Sequence, residues 1–398
     1  MSYQEILECI PQNDFDCYYN SEWKFSHSTW KEPIVNNFSI IQNEINHKMY
    51  QFIMNARMGV NRIQDNMVRL RNSYLHLEEK SPSMTNLVSI ISSVTCISEL
   101  AAVFKKLIAL NVSTLFTTGV TQNYQEPDIY IMGIGEIQLT FETTDKYTEP
   151  KIIDLFGEIL LKIHQYLKEN WGYTLSDAEE FAKNIITTEL LFSKCNLSPL
   201  ESQNPFLIHH VDRYPLFLEK FDAYNFWSDT MEDFITENDY IFYENINALI
   251  FFKKFLQKID RQLLNMIKDY LIYCLFRKYS IYSPNVNYVN NIFEIPKDHL
   301  NVTVEMFYNT FGYYLQDIYQ KWYNDPRKNK EAYRMFVSLK KYCLYAVQKS
   351  DFFGPDTKSE AIKKIQNLNI IIGKQGYDVN LSFLPKLNDD FYHNLLVI

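Results

Sequence analysis

Residues 356–373 read DTKSEAIKKIQNLNIIIG. Thr357 and Glu360 stand at the spacing of a capping box, in which each side chain satisfies a free backbone donor at a helix start. Ala361, Ile362, Ile365 and Leu368 then recur at helical spacing and give the helix one apolar face. The run Asn369–Ile372, rich in β-branched residues and closed by Gly373, predicts a short strand after the helix.

Upstream, the same 3.6-residue period dominates. Phe38, Ile41, Ile45, Met49 and Phe52 share one face from Asn37 onward. Ile63, Met67, Leu70, Tyr74 and Leu77 mark a second helix, about 61–79. A third, 95–110, buries Ile97, Leu100, Ala101, Phe104, Leu107 and Ile108, and Asn111 is placed to end it in the left-handed conformation. The period then changes. Leu115–Val120 and Asp128–Ile134 are β-forming runs split by a polar turn, which predicts a small hairpin. Helices resume over 152–169 and 176–195, the latter with a capping box from Ser176 and Glu179. Prolines 199, 205 and 215 break the following stretch into short pieces. Long helical patterns return over 246–279, 301–322 and 330–347. Val304, Phe307, Phe311, Tyr314, Ile318 and Trp322 form an aromatic seam, and Ala332, Phe336, Leu339, Cys343 and Val347 an aliphatic one; both are expected to face the core. The segment 13–23, NDFDCYYNSEW, has no clear period.

Composition agrees with a helical reading. Glycine is scarce, 10 in 398 residues, while 29 Tyr and 28 Phe supply ring-rich packing. The net charge of −9 argues against a nucleic-acid partner, which needs a basic face to displace counterions from phosphate. No stretch reaches the 18 apolar residues of a membrane span; 87–104 comes nearest and is interrupted by Ser, Thr and Glu99. The first residues, MSYQEILECIPQNDFD, lack the basic and apolar regions of a signal peptide, so a cytoplasmic location is expected. The six cysteines form no C-x-x-C pair and are expected to be reduced and mostly buried. The fold class is mainly α: one large multi-helix domain with a small β-hairpin element.

The sequence offers no catalytic or metal-ligating set. A zinc peptidase site needs two imidazoles four residues apart on a helix, with a carboxylate between them to activate water. No two of the eight histidines have that spacing, and none lies in an H-E-x-x-H frame. His209-His210 beside Asp212 and Arg213 is the densest polar cluster. A dyad with Ser202 lacks the G-x-S-x-G elbow, so the cluster reads as a polar loop and helix entrance. Gly133-x-Gly135 lacks the third glycine of a dinucleotide loop and reads as a turn. Acidic clusters at 177–180 and 232–233 fall in first helical turns, where they complement the helix dipole.

Five stretches, in order, resemble the neprilysin family of zinc peptidases. NDFDCYYNSEW at 13–23 resembles its opening signature, with Asn20 where secreted members have Cys and Ser21 in place of a Gly. VRLRNSYL at 68–75 looks like its short Lys-x-x-x-Phe-Tyr-x-Ser helix. Residues 99–120 and 128–151 parallel its helix, Gly-Val turn, hairpin and acidic loop. FGYYLQDIYQKWY at 311–323 is similar to its Leu-Gly-x-x-Leu-Gly-x-x-Tyr helix, and 356–373 resembles the segment closing its helical domain. The resemblance implies an entry segment over 1–36, a helical lid domain over 37–373, and a C-terminal stub over 374–398 where the catalytic domain would begin. It also implies that zinc belongs to a separate catalytic domain, so that no cofactor is expected on this chain. The implied partners are a peptide or a separate catalytic-domain chain. The family's peptide-carboxylate Arg, before an Asn-Phe-Asp, maps onto Ile34, with Asn37, Phe38 and Ser39 as the degenerate substrate-binding match. An alkyl chain at Ile34 removes the bidentate guanidinium grip.

Overall fold

The computed structural model describes residues 15–26, 36–78, 80–123, 126, 128–141, 144–198, 200–283, 299–373 and 385–397. In chain order the elements begin with α1 (Phe15–Ser26), α2 (Asn37–Asn55), α3 (Arg62–Leu75), α4 (Pro82–Ser93) and α5 (Ile97–Ala109). Strands β1 (Thr118–Gln122) and β2 (Tyr130–Ile134) follow, then α6 (Pro150–Asn170), α7 (Ala178–Ser193) and α8 (Pro205–Ile208). Next come β3 (His210–Arg213), α9 (Tyr214–Phe221), α10 (Phe226–Met231) and β4 (Tyr240–Tyr243). The remaining helices are α11 (Ile246–Leu256), α12 (Arg261–Tyr279), α13 (His299–Tyr323), α14 (Pro326–Lys349), α15 (Pro355–Asn367) and α16 (Phe391–Val397). They fall into two compact units, one within 1–72 and 296–387, the other within 73–295 and 388–397.

The second unit is built around α12, whose residues from Met266 to Phe276 are all buried. A helix apolar on every side needs neighbours on every side; α4 and α7 pack against it, and α6 packs on α7. A buried cation inside this unit serves a helix end. Lys268, 5% exposed, donates to Ser92 O and Val94 O at 3.0 Å, closing the C-terminal carbonyls of α4; burial lowers its pKa. The sheet runs β1-β2-β4-β3. β1 and β2 form the expected antiparallel hairpin, with Gly119 opposite Gly133. β2 then pairs in parallel with β4, and β4 antiparallel with β3. β3 and β4 are short and lie in the proline-broken stretch, where periodicity carries little signal.

In the first unit, α2 packs on α13 and α14 on α15. Arg71 Nη1 donates to Ile53 O, Met54 O and Ala56 O at 2.8–3.1 Å, so one guanidinium ends α2. Tyr314 OH reaches Gln64 Oε1 at 3.2 Å, and the Phe52 and Trp322 rings meet edge to face at 5.1 Å. α13 bends at Phe311 (φ −121°, ψ 21°), next to Gly312.

Several local expectations are corrected. α15 starts from Gly354 with Pro355 at its first position, and no side chain caps it; proline's fixed φ sets the start two residues before Thr357, and the 357/360 capping box does not form. Residues 369–372 form no strand, because they lie in the first unit without a partner strand to complete a ladder. The cap of α7 is Asp177, which accepts from Glu180 N at 2.9 Å; Ser176 Oγ instead donates to Asp269 Oδ2 at 2.7 Å. Residues 15–26 are helical, and 246–279 is two helices, the second capped by Asp260. Among the described cysteines Cys274 is buried, while Cys96 and Cys343 are exposed. Asn111 does end α5 with φ 51°. The described part of the tail packs back: Phe391 and Tyr392 are buried, and Asn394 Nδ2 donates to Ser73 Oγ at 3.0 Å.

Gly172 holds φ +68°, and a Cβ there would stand 2.9 Å from Thr85 Cγ2. Gly172→Ala is expected to cost about 1–2 kcal/mol, combining left-handed strain with the contact, read as a lower urea midpoint with unchanged slope.

Candidate interaction face

Each carboxylate buried deeply enough to suggest chemistry is fully engaged. Glu189 is 0% exposed; it accepts from Tyr147 OH at 2.6 Å and from Thr140 N and Oγ1 at 3.2 and 2.7 Å, with Arg277 Nη1 at 4.0 Å. Burial raises its pKa, and these bonds oppose the rise. Asp269 accepts from Tyr173 OH at 2.6 Å, Ser176 Oγ at 2.7 Å and Asn184 Nδ2 at 2.8 Å, and burial raises its pKa as well. Both tie α7 and α12 to each other or to the segments beside them.

His209 is the one-residue link between α8 and β3, while His210 departs from the loop reading: it begins β3, stacks on the Tyr243 ring at 5.3 Å and bonds Leu207 O at 2.9 Å through Nε2. Asp212 is taken by Lys220 Nζ at 2.8 Å and Tyr243 OH at 2.6 Å. The Gly133-x-Gly135 pair serves close packing, since a Cβ on Gly135 would lie 2.4 Å from Thr117 Oγ1. Among the described residues no group of three or more His, Cys, Asp or Glu is placed to hold a metal ion. A zinc centre does not fit the described residues.

Ile34 lies outside the described residues. Asn37, Phe38 and Ser39 form the first turn of α2. Asn36 caps it, accepting from Ser39 N at 2.9 Å while Ser39 Oγ accepts from Asn36 N at 2.9 Å. Phe38 is 85% exposed.

The feature that stands out is a surface. From Gln316 to Gly373 no residue is buried. α14 is well formed: Asp325 accepts from Arg327 N at 2.9 Å and Pro326 occupies the first position. Yet it buries none of its residues. Ala332, Phe336, Leu344 and Val347 are half-covered on the side of α15, and Lys340 Nζ ends that helix by donating to Gln366 O and Leu368 O at 2.7 Å. Met335, Leu339 and Tyr342, on one face by their spacing of four and three, are exposed by 60–67%. The aliphatic seam expected in the core is therefore corrected to a half-covered stripe, with Leu339 and Cys343 open to solvent. Phe352 and Ile371 extend the exposed apolar surface at 87% and 69%. Large apolar side chains left this open are the surface on which a partner would be sought.

The sequence profile of peptidase family M13 matches residues 11–375. The chain belongs to peptidase family M13. A zinc metalloproteinase of Acanthamoeba polyphaga mimivirus is 28% identical over 389 residues, covering 98% of this chain and 61% of that protein. Among solved structures, the zinc metalloprotease of Mycobacterium tuberculosis in complex with inhibitor superposes with a TM-score of 0.81 at 13% identity, over 98% of this chain and 61% of that one. PepO from Lactobacillus rhamnosis gives 0.79 at 11% identity, over 98% of this chain and 64% of that one. These superpositions establish the M13 fold. The chain spans a little over three-fifths of the length of the relatives it matches. No described helix is long and apolar enough to cross a membrane.

Proposed function

We propose that this M13 chain is a non-catalytic binding part of a peptidase scaffold, which holds a peptide or protein against the α14–α15 face. The observation that carries the reading is α14 itself, a 24-residue helix with no buried residue and Met335, Leu339 and Tyr342 open on one side. A second reading rests on the chain's membership of peptidase family M13. In it the same face is covered by a separate catalytic chain bearing H-E-x-x-H and the zinc, with this chain as the lid of a metalloendopeptidase. In both readings the helices supply shape and apolar contact, and the chemistry belongs to other residues.

The test is Leu339→Glu with Tyr342→Glu, compared with the parent for peptide binding and for co-purification with an M13 catalytic chain. Both positions are exposed, so the melting temperature is expected to stay within about 2 °C, while partner affinity drops at least about tenfold. The chain alone is expected to cleave no quenched peptide. Chelator-sensitive cleavage by the pure chain, or undiminished partner binding by the double variant, overturns the proposal.

A further inference from the structure

The loop joining α2 to α3 reads Ala56-Arg57-Met58-Gly59-Val60-Asn61. Gly59 turns it with φ +87°, a conformation open to glycine at no steric cost. The turn aims the Gly59 amide at Asp65 Oδ1, 2.7 Å away. Asn61 then starts α3 by accepting from Gln64 N at 2.8 Å. Together with Lys386, from the far end of the chain, this corner forms an open pocket of about 510 Å³ lined by Gly59, Val60, Arg62, Asp65, Arg69 and Lys386.

Two features set the cavity apart. The first is charge: three cations face one carboxylate, in a chain whose net charge is −9, and one oxygen of that carboxylate is already held by the Gly59 amide. The second is Arg69. It is half-buried, yet among the described residues no hydrogen bond or ion pair engages it. A guanidinium carries five donors and no acceptor, and desolvating it without an anion costs free energy that a ligand carboxylate would recover. Size narrows the class. The volume falls within the range of about 300–1,000 Å³ found for sites of small organic ligands and far exceeds the roughly 30 Å³ of one water, so an inorganic ion leaves most of it empty. Val60, 63% exposed, gives apolar contact at the loop.

The geometry points to a binding site for an organic polycarboxylate, held by Arg69, Arg62 and Lys386, with either acidic peptide side chains or a free tricarboxylate as the source. The site stands apart from the α14 face: it is measured on this chain alone and survives whether or not that face meets a partner.

Calorimetric titration of the purified chain with an acetylated, amidated tetraglutamate, its tetraglutamine counterpart, citrate and inorganic phosphate tests the assignment. Tetraglutamate or citrate is expected to bind at least about tenfold more tightly than tetraglutamine and phosphate, and more weakly at high salt; the tighter of the two names the source. Arg69→Met is expected to reduce that affinity about tenfold while leaving the melting curve in place, since Arg69 has no bond to lose. Lys386→Gln, at an exposed position, decides the matter if Arg69→Met folds poorly, with an expected loss of about threefold or more. Equal affinity for tetraglutamate, citrate and tetraglutamine, phosphate binding as tight as either carboxylate, or parent-like binding by both variants overturns the site.

Discussion

Glu189→Ala is expected to remove about 3–5 kcal/mol of stability, the range for breaking a buried charge-bearing network by deleting one member. The deletion strands Tyr147 OH and Thr140 N, leaves Thr140 Oγ1 with Tyr273 OH at 2.7 Å as its remaining partner, and leaves Arg277 without the carboxylate 4.0 Å away. Each stranded buried donor costs roughly 1–3 kcal/mol before relaxation. Glu189→Gln keeps the shape and one acceptor, so it is expected to lose less. It also isolates the pH dependence. Burial raises the folded-state pKa of Glu189 above its ordinary value, so as pH rises the unfolded chain releases this proton before the folded chain does. Between those two pKa values the folded state binds more protons, and stability falls with rising pH; below and above that window this group contributes no slope. Urea melts from acidic to neutral pH are expected to show the parent losing stability relative to Glu189→Gln over that window. A pH-independent difference between the two, or an Ala variant within 1 kcal/mol of the parent, removes the network from the account of stability.

How much of this was legible in the sequence depends on what each residue had to signal. Strong 3.6-residue stripes such as Leu100, Phe104 and Leu107 located α5, and Asn111 located its end, because periodicity and a left-handed cap are local properties. The start of α15 was misread because Pro355 and a capping box competed two residues apart, and both fit the same text. β3 and β4 were missed because strands of four residues take their identity from neighbours distant in sequence, as His210 does from Tyr243. α14 taught the opposite lesson. Its apolar pattern was plain, but periodicity reports amphipathicity and not what covers the face, so a stripe assigned to the core proved half open. Arg69 and Lys386 gave no signal: one of the three Arg of α3 and a Lys more than three hundred residues later converge only through tertiary structure. The 34–39 stretch shows the limit from the other side. Resemblance singled out Asn37, Phe38 and Ser39, and the structure places them in a helix start, with Asn36 and Ser39 engaged in capping.

The second large effect is expected from Phe252→Ala. Asn245 starts α11 by accepting from Ala248 N at 2.9 Å, and that register turns Phe252 inward, where it is 1% exposed. Its ring lies 5.1 Å from Phe116, 5.1 Å from Phe226 and 5.8 Å from Trp227, with Phe104 and Phe192 at 6.3 and 6.4 Å. Contacts with Phe116, Phe226 and Trp227 are edge to face, the arrangement that ring quadrupoles favour. Removing the ring forfeits about 1.5–3 kcal/mol of apolar burial, and the stiff neighbouring rings cannot collapse to fill the space, so the cavity term adds to it. The total expected is about 3–5 kcal/mol. For a unit of this size that lowers the melting temperature by about 6–20 °C. Leu339→Ala, on the open face of α14, is expected to change stability by less than about 0.5 kcal/mol, although both positions are large, apolar and at helical spacing. Calorimetry of the two variants side by side therefore separates the residues that build the fold from those that face outward. A large loss at Leu339, or a small one at Phe252, would reverse that assignment and withdraw the α14 face as a surface available to a partner.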